Sequence, residues 1–291
     1  MALTVRPRRS ALYMPAANAR ALEKGRTLPA DVLLLDLEDS VAPDAKEGAR
    51  AVLAAALRDR PAYGRRELVV RVNGLDTAWG RGDLVAVARE PIDAVLLPKV
   101  QDARMVAAAV AILDGAGAPP GLPVWCMMET PRGVLRAEEI ADHPRVQALV
   151  MGTSDLAKDL RARPHGARLA LLPALGQVLL AARAANIAAL DGVFLDLNDE
   201  TGFIEACRQG RDLGFDGKTL IHPKQLAAAN AAFAPTESEL AWARRIIAAF
   251  EAAQAEGKGI VLVDGKLIEN LHVAEARRQL ALAAAITADS G

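Results

Sequence analysis

Eight short apolar runs, separated by segments of helical periodicity, predict an α/β fold: a TIM (β/α)8 barrel with a C-terminal helix-hairpin-helix extension. A second observation supports closure: the polar residues that interrupt the runs cluster at their carboxyl ends, where barrel sites form, and are not scattered. A third sets the extension apart. After Pro235 the alternation gives way to a long helical stretch, Glu237 to Glu256, then a Gly-flanked extended piece, Gly259 to Ile268, and a last helix. The expected domains are a catalytic barrel over 1–235 and an extension or lid over 236–291.

Taken in order, the runs are Ser10 to Met14, Val32 to Leu37, Leu68 to Val72, Ala94 to Leu97, Val124 to Met128, Leu149 to Met151, Ile187 to Leu190 and Thr219 to Ile221. Between the second and third, Ala45, Ala49, Val52, Leu53, Ala56 and Leu57 fall on one helix face, and Pro61 stops the helix. Another helix runs from Asp102 through Met105, Ala109, Ile112 and Leu113. After the fifth run, Thr130 can cap and Pro131 fits the first helical turn. The Gly/Pro-rich stretch from Gly115 to Pro123 lies inside the alternation and is too short to link domains.

Composition narrows the class. A chain of 291 residues with 52% hydrophobic and 3% aromatic content suffices for one large domain or two small ones. No apolar run approaches the roughly 20 residues of a membrane span, and the first residues lack a secretory h-region. The expectation is a cytoplasmic protein with no membrane partner. With 35 basic against 36 acidic residues, the net charge of -1 supplies no field for nucleic acid. Cys126 and Cys207 form no CxxC and read as small buried residues. Gly214 to Thr219 resembles a P-loop ending, but Asp212 stands where the leading glycine belongs. His143, His165, His222 and His272 lack paired zinc spacing.

The strand-end residues carry the chemistry. Asp36, Glu38 and Asp39 close the second run, Arg71 and Asn73 the third, Lys99 the fourth, Glu129 the fifth, Asp155 the sixth, Asp191 the seventh and His222 the eighth. If the fifth and sixth strands are neighbours, Glu129 and Asp155 lie about 5 Å apart and form a clamp for a divalent cation, Mg²⁺. Arg71 suits a substrate carboxylate, since a guanidinium fork pairs both oxygens; its alternative is to neutralise the carboxylates beside it. Lys99 is either a Schiff-base lysine or a cation in a polar network, and the two nearby metal ligands favour the second.

Six motifs in order, Arg9 to Pro15, Leu35 to Val41, Arg71-Val72-Asn73, Leu97-Pro98-Lys99, Met128-Glu129-Thr130 and Ile221-His222-Pro223, resemble the citrate lyase β-subunit-like family, which includes malyl-CoA and citramalyl-CoA lyases. The resemblance implies that Glu129 and Asp155 bind Mg²⁺, that Arg71 holds the oxo-acid carboxylate, and that Asp36, Glu38 and Asp39 order metal-bound water. It also implies that Tyr13, Arg20 and Lys24 contact CoA, joined by the backbone of Thr219 and Leu220. Its activity would be Mg²⁺-dependent cleavage of a 3-hydroxyacyl-CoA to an acyl-CoA and a 2-oxo acid. The alternatives are a malyl-CoA-type thioester hydrolase, or a citrate lyase β-like subunit or CoA-binding protein without autonomous activity. The family brings a tail carboxylate over a neighbour's thioester pocket, so the resemblance also implies a homo-oligomer, a trimer or a multiple of it. The matching residue is Glu269, where those lyases usually carry Asp, with Asp264 the weaker candidate. The family's Pro-Gly-Asn turn is Pro15-Ala16-Ala17-Asn18 here.

Overall fold

The computed structural model describes residues 6–163 and 166–289. His165, both chain ends of the expected domains and the side chain of Asp289 therefore lie outside the described residues. The described chain divides into two compact units, one from Arg8 to Phe233 and one from Ala234 onward with Arg6 and Pro7.

The first unit is a closed parallel barrel in which β1 to β8 follow one another in sequence order. The strands are β1 Ser10–Pro15, β2 Val32–Asp36, β3 Glu67–Arg71, β4 Ala94–Leu97, β5 Val124–Met128, β6 Val146–Met151, β7 Ala188–Asp191 and β8 Gly217–Leu220. All eight expected runs became strands, because a parallel strand covered on both faces needs a nearly unbroken apolar sequence. Side chains alternate between two cores. Ala11, Leu34, Val69, Leu96, Trp125 and Val150 fill the barrel interior, while Leu12, Leu33, Leu35, Leu68, Cys126 and Leu149 pack against the helices. The guanidinium of Arg8 lies 4.9 Å from the Trp125 ring and is itself paired with Glu67 at 2.7 Å.

Around the strands run α1 Ala19–Gly25, α2 Lys46–Leu57, α3 Gly80–Val87, α4 Ala103–Gly115, α5 Pro131–Leu135, α6 Ala137–Ala141, α7 Thr153–Asp159, α8 Leu172–Ala184, α9 Glu200–Leu213 and α10 Leu226–Phe233. Their starts follow capping chemistry. Asp102 accepts from the Met105 N–H ahead of α4, and Thr130 from the Gly133 N–H ahead of α5, with Pro131 in the first turn. Asp155 departs from the expected strand end: it stands in the first turn of α7, because β6 ends four residues earlier at Met151 and Gly152 precedes the helix.

The second unit contains α11 Glu237–Ala255, an antiparallel hairpin of β9 Val261–Val263 and β10 Lys266–Ile268, and α12 Asn270–Asp289. A capping box between Thr236 and Glu239 starts α11. Ala243, Ile246, Phe250, Val263, Ile268, Val273 and Ala276 form its own core. The hairpin turn places Asp264 at φ +49° and Gly265 at φ +73°. No helix among the described residues is long and apolar enough to cross a membrane.

Candidate active site

Strand register brings the expected residues together. β2 and β3 pair with Asp36 opposite Arg71, so the two side chains that end these strands become neighbours. Arg71 donates from Nε to Asp36 Oδ1 and from Nη2 to Asp36 Oδ2, both at 2.7 Å. Asp36 also accepts the N–H groups of Glu38 at 2.9 Å and Ser40 at 3.1 Å. Burial pushes the Asp36 carboxyl up, but the hydrogen bonds and charge of Arg71 outweigh it and hold the group below the usual carboxylate range.

These contacts bear on two expectations. The side-on fork of Arg71 pairs with Asp36, as the alternative of neutralising its neighbours has it, and a substrate anion would meet its other N–H groups. Asp36 accepts four donors, two on each oxygen, and so orders Arg71 and the following loop. The rest of the acidic loop is freer. Arg71 Nη1 reaches Asp39 Oδ2 at 3.3 Å and Glu38 Oε2 at 2.8 Å, the latter an ion pair without hydrogen-bond geometry that leaves buried Oε2 without a hydrogen bond. Burial raises the Glu38 carboxyl above its ordinary value against the charge of Arg71. The Arg71 guanidinium also sits 4.7 Å from the ring of Tyr13, whose hydroxyl donates to Met127 Sδ at 3.5 Å. Burial pushes the Tyr13 phenol up.

β5 and β6 pair Met128 with Met151, so Glu129 and Gly152, one residue on, also lie side by side. A Cβ at Gly152 would overlap both Cβ and Oε2 of Glu129, so glycine there is a requirement of the carboxylate's position. Glu129 is only 2% exposed. Its Oε1 accepts the Lys99 N–H at 2.6 Å, and among the described residues no cation is within ion-pair reach of it. Burial pushes its carboxyl up to about 7, with the charges of Glu38 and Asp155 adding to the shift and the Lys99 N–H and the charge of Arg71 opposing it. Glu129 and Asp155 line one cavity of about 370 Å³ with Tyr13, Asp36, Asp39, Arg71, Thr219 and the apolar Met127, Met151 and Val193. A buried carboxylate without an ion-pair partner, facing a cavity shared with a second carboxylate, suits a hard divalent ion. Among the described residues no three His, Cys, Asp or Glu converge in one group that could hold a metal ion.

Other expected residues lie apart. Lys99 is outside the cavity lining, half exposed, with Nζ 3.2 Å from Glu38 Oε1; this is the polar-network alternative for that lysine. Arg20 and Lys24 are exposed on α1 and do not line the cavity. Leu220 is buried in the outer core, so of the pair expected at the nucleotide only Thr219 reaches the cavity. Glu269 belongs to the second unit, where it precedes α12 and its N–H donates to His272 Nδ1 at 3.1 Å. Asp191 is a buried ion-pair partner, 2.7 Å from Lys218 and 2.8 Å from Arg168, and His222 accepts the Lys224 N–H to cap a short turn. Both cysteines are buried and unpaired.

Sequence reasoning missed the scaffold behind the acidic loop. Lys46 Nζ, buried, donates to the carbonyls of Leu37 and Glu38 at 3.1 and 2.9 Å, and Asn73 Nδ2 donates to the Leu37 carbonyl at 2.9 Å. Fully buried Asp83 accepts the Asn73 N–H at 2.9 Å and Arg50 Nε at 2.7 Å. A charged Lys on the apolar stripe of α2 was the available signal.

A family model described as HpcH/HpaI aldolase/citrate lyase matches residues 9–223, which spans the whole barrel. The chain belongs to the HpcH/HpaI aldolase/citrate lyase family. Within this family it is 51% identical over 288 residues to a (3S)-malyl-CoA thioesterase of Cereibacter sphaeroides, covering 99% of each chain. It is 40% identical to the citrate lyase subunit beta of Escherichia coli, covering 96% of this chain and 94% of that one. Among solved structures, CitE from Mycobacterium tuberculosis in complex with magnesium, acetoacetate and coenzyme A matches with a TM-score of 0.80 and 32% identity, over 97% of this chain and 100% of that chain.

Proposed function

We propose that the protein is a Mg²⁺-dependent enzyme acting on a CoA thioester of the malyl-CoA type, and that its net reaction is hydrolysis of the thioester. The observation that carries hydrolysis, ahead of the carbon–carbon cleavage expected from the resemblance, is the 51% identity across 99% of both chains to a (3S)-malyl-CoA thioesterase. The magnesium and coenzyme A bound by the CitE structure support the cofactor and the substrate class. The fit of Mg²⁺ is supported by the buried carboxylate of Glu129, which has no ion-pair partner among the described residues and shares the cavity with Asp155.

Glu129 and Asp155 would hold the ion, which when bound polarises a substrate oxygen as a Lewis acid. Arg71, its side-on edge held by Asp36, presents remaining N–H groups of a fixed cation to an anionic substrate group at the cavity. Asp39 lines the same cavity and is 62% exposed, which makes it the acceptor best placed to orient a water. Tyr13 and Thr219 line the cavity with hydroxyls, and Arg20 and Lys24 supply exposed positive charge on α1 for the CoA phosphates.

The 40% identity to a citrate lyase subunit beta keeps carbon–carbon cleavage as the second reading. There Glu269 is the proposed proton donor to the enolate, supplied within a homo-oligomer. Incubating the protein with (3S)-malyl-CoA and Mg²⁺ decides between the two. Malate and free CoA in equal amounts support hydrolysis; acetyl-CoA and glyoxylate support cleavage; an inert substrate removes both.

A further inference from the structure

Lys99 is one of five non-glycine residues with positive φ in the described chain, at +50°. A left-handed backbone is uncommon for a lysine and persists where surrounding structure demands it. Its side chain does not explain the conformation, because it is half exposed and, among the described residues, its ion pairing is a single 3.2 Å contact from Nζ to Glu38. The backbone does. Directly after β4 and Pro98, the turn aims the Lys99 N–H at Glu129 Oε1, 2.6 Å away.

The next residue shows how the turn is held. Val100 is buried, and its carbonyl lies so close to Gly133 of α5 that a Cβ at Gly133 would overlap it. Gly133 in turn donates to Thr130 Oγ1 at 3.0 Å, one residue after Glu129. The chain after β4 and the chain after β5 are thus locked together by backbone contacts, with Glu129 between them.

We propose that Lys99 is a positioning residue whose left-handed backbone, and not its ammonium, fixes the Glu129 carboxylate for the divalent cation. The inference rests on the metal reading of Glu129 given above. Oε1 is held by the Lys99 N–H, so the carboxylate keeps one rotamer, and its other oxygen stays beside Gly152 at the cavity wall. A β-branched residue at this position resists positive φ, whereas glycine and asparagine adopt it readily and lack the charge.

The test separates backbone from charge by measuring Mg²⁺ affinity calorimetrically in Lys99→Val, Lys99→Gly and Lys99→Asn, with Glu129→Gln as the control for the metal site. The expected result is an affinity within about threefold of the parent for Gly and Asn, and a loss of about tenfold or more for Val. Equal affinities in the three variants, or equal losses, would overturn the proposal. A double-mutant cycle of Lys99→Val with Glu129→Ala, read by denaturant unfolding without metal, covers the case in which the parent binds no Mg²⁺. Coupling seen with Lys99→Val and absent from the same cycle built on Lys99→Asn supports the positioning contact by itself, and equal coupling in both cycles or additive effects overturn it whatever the metal does. Parent binding that Glu129→Gln leaves unchanged would refute the metal reading, and the cycle alone would then decide the role of Lys99.

Discussion

At the scale of single residues, the protonation of Glu129 links pH, metal and stability. With its carboxyl raised by burial to about 7, the folded chain without metal takes up a proton that the unfolded chain, at an ordinary 4.5, has already lost between those values. The sign follows: metal-free stability is highest below the unfolded value and falls as pH rises through the folded one, by roughly 3 kcal/mol in all. A divalent ion offsets this by favouring the ionised form. Thermal unfolding should therefore show a larger Mg²⁺-induced rise in Tm at pH 8 than at pH 6, and Glu129→Gln should remove the difference. An equal rise at both pH values would mean that the ion does not sit on Glu129.

Arg71 gives a second prediction at this scale. Because its fork holds both oxygens of Asp36, Arg71→Lys replaces two charge-assisted hydrogen bonds with one and leaves part of a buried carboxylate unpaired. Loss of about 1–3 kcal/mol in denaturant unfolding and a fall of about a hundredfold in turnover are expected. Parent-like values for both would show that the Asp36 pairing contributes to neither.

Among the elements, β5 and β6 shape the proposed metal site through one missing side chain. Gly152→Ala places a methyl against Glu129 Cβ, and both residues directly follow paired strand ends with little freedom to move. Overpacking of this kind costs about 1–3 kcal/mol, and the displaced carboxylate should lose about tenfold or more in Mg²⁺ affinity. Calorimetry on the folded variant checks it; unchanged affinity would show that the strand ends yield freely. The turn before α12 carries the corresponding prediction for the extension. Glu269→Gln retains the N–H that donates to His272, so the helix start should survive, Mg²⁺ affinity should stay at the parent value, and any carbon–carbon cleavage should disappear. Persisting cleavage would remove Glu269 from proton transfer.

For the whole molecule, the barrel unit has its own closed sheet and core, and both proposed metal ligands lie within it. We propose the division at residue 235 as a domain boundary, which predicts that residues 1–235 alone fold and bind Mg²⁺ with parent-like affinity while losing cleavage that needs Glu269. Circular dichroism and calorimetry on that fragment check both parts; an unfolded or non-binding fragment would make the extension part of the barrel's stability.

Much of this was legible along the chain. The strands were readable because a parallel barrel strand is buried on both faces, so local apolar runs report it directly, and Thr130 with Pro131 announced α5 by capping chemistry that depends on neighbours in sequence. Glu129, Asp155, Arg71 and the acidic loop were legible as strand-end or post-strand polar residues. What each side chain touches was decided only by the tertiary structure. Asp36 meets Arg71, Gly152 clears Glu129, Lys99 offers its N–H and Lys46 turns two carbonyls because strand register and loop closure join residues far apart in sequence. Periodicity reports which way a side chain faces, since that follows from the local backbone; the partner it finds there is fixed by three-dimensional packing, to which local pattern is blind.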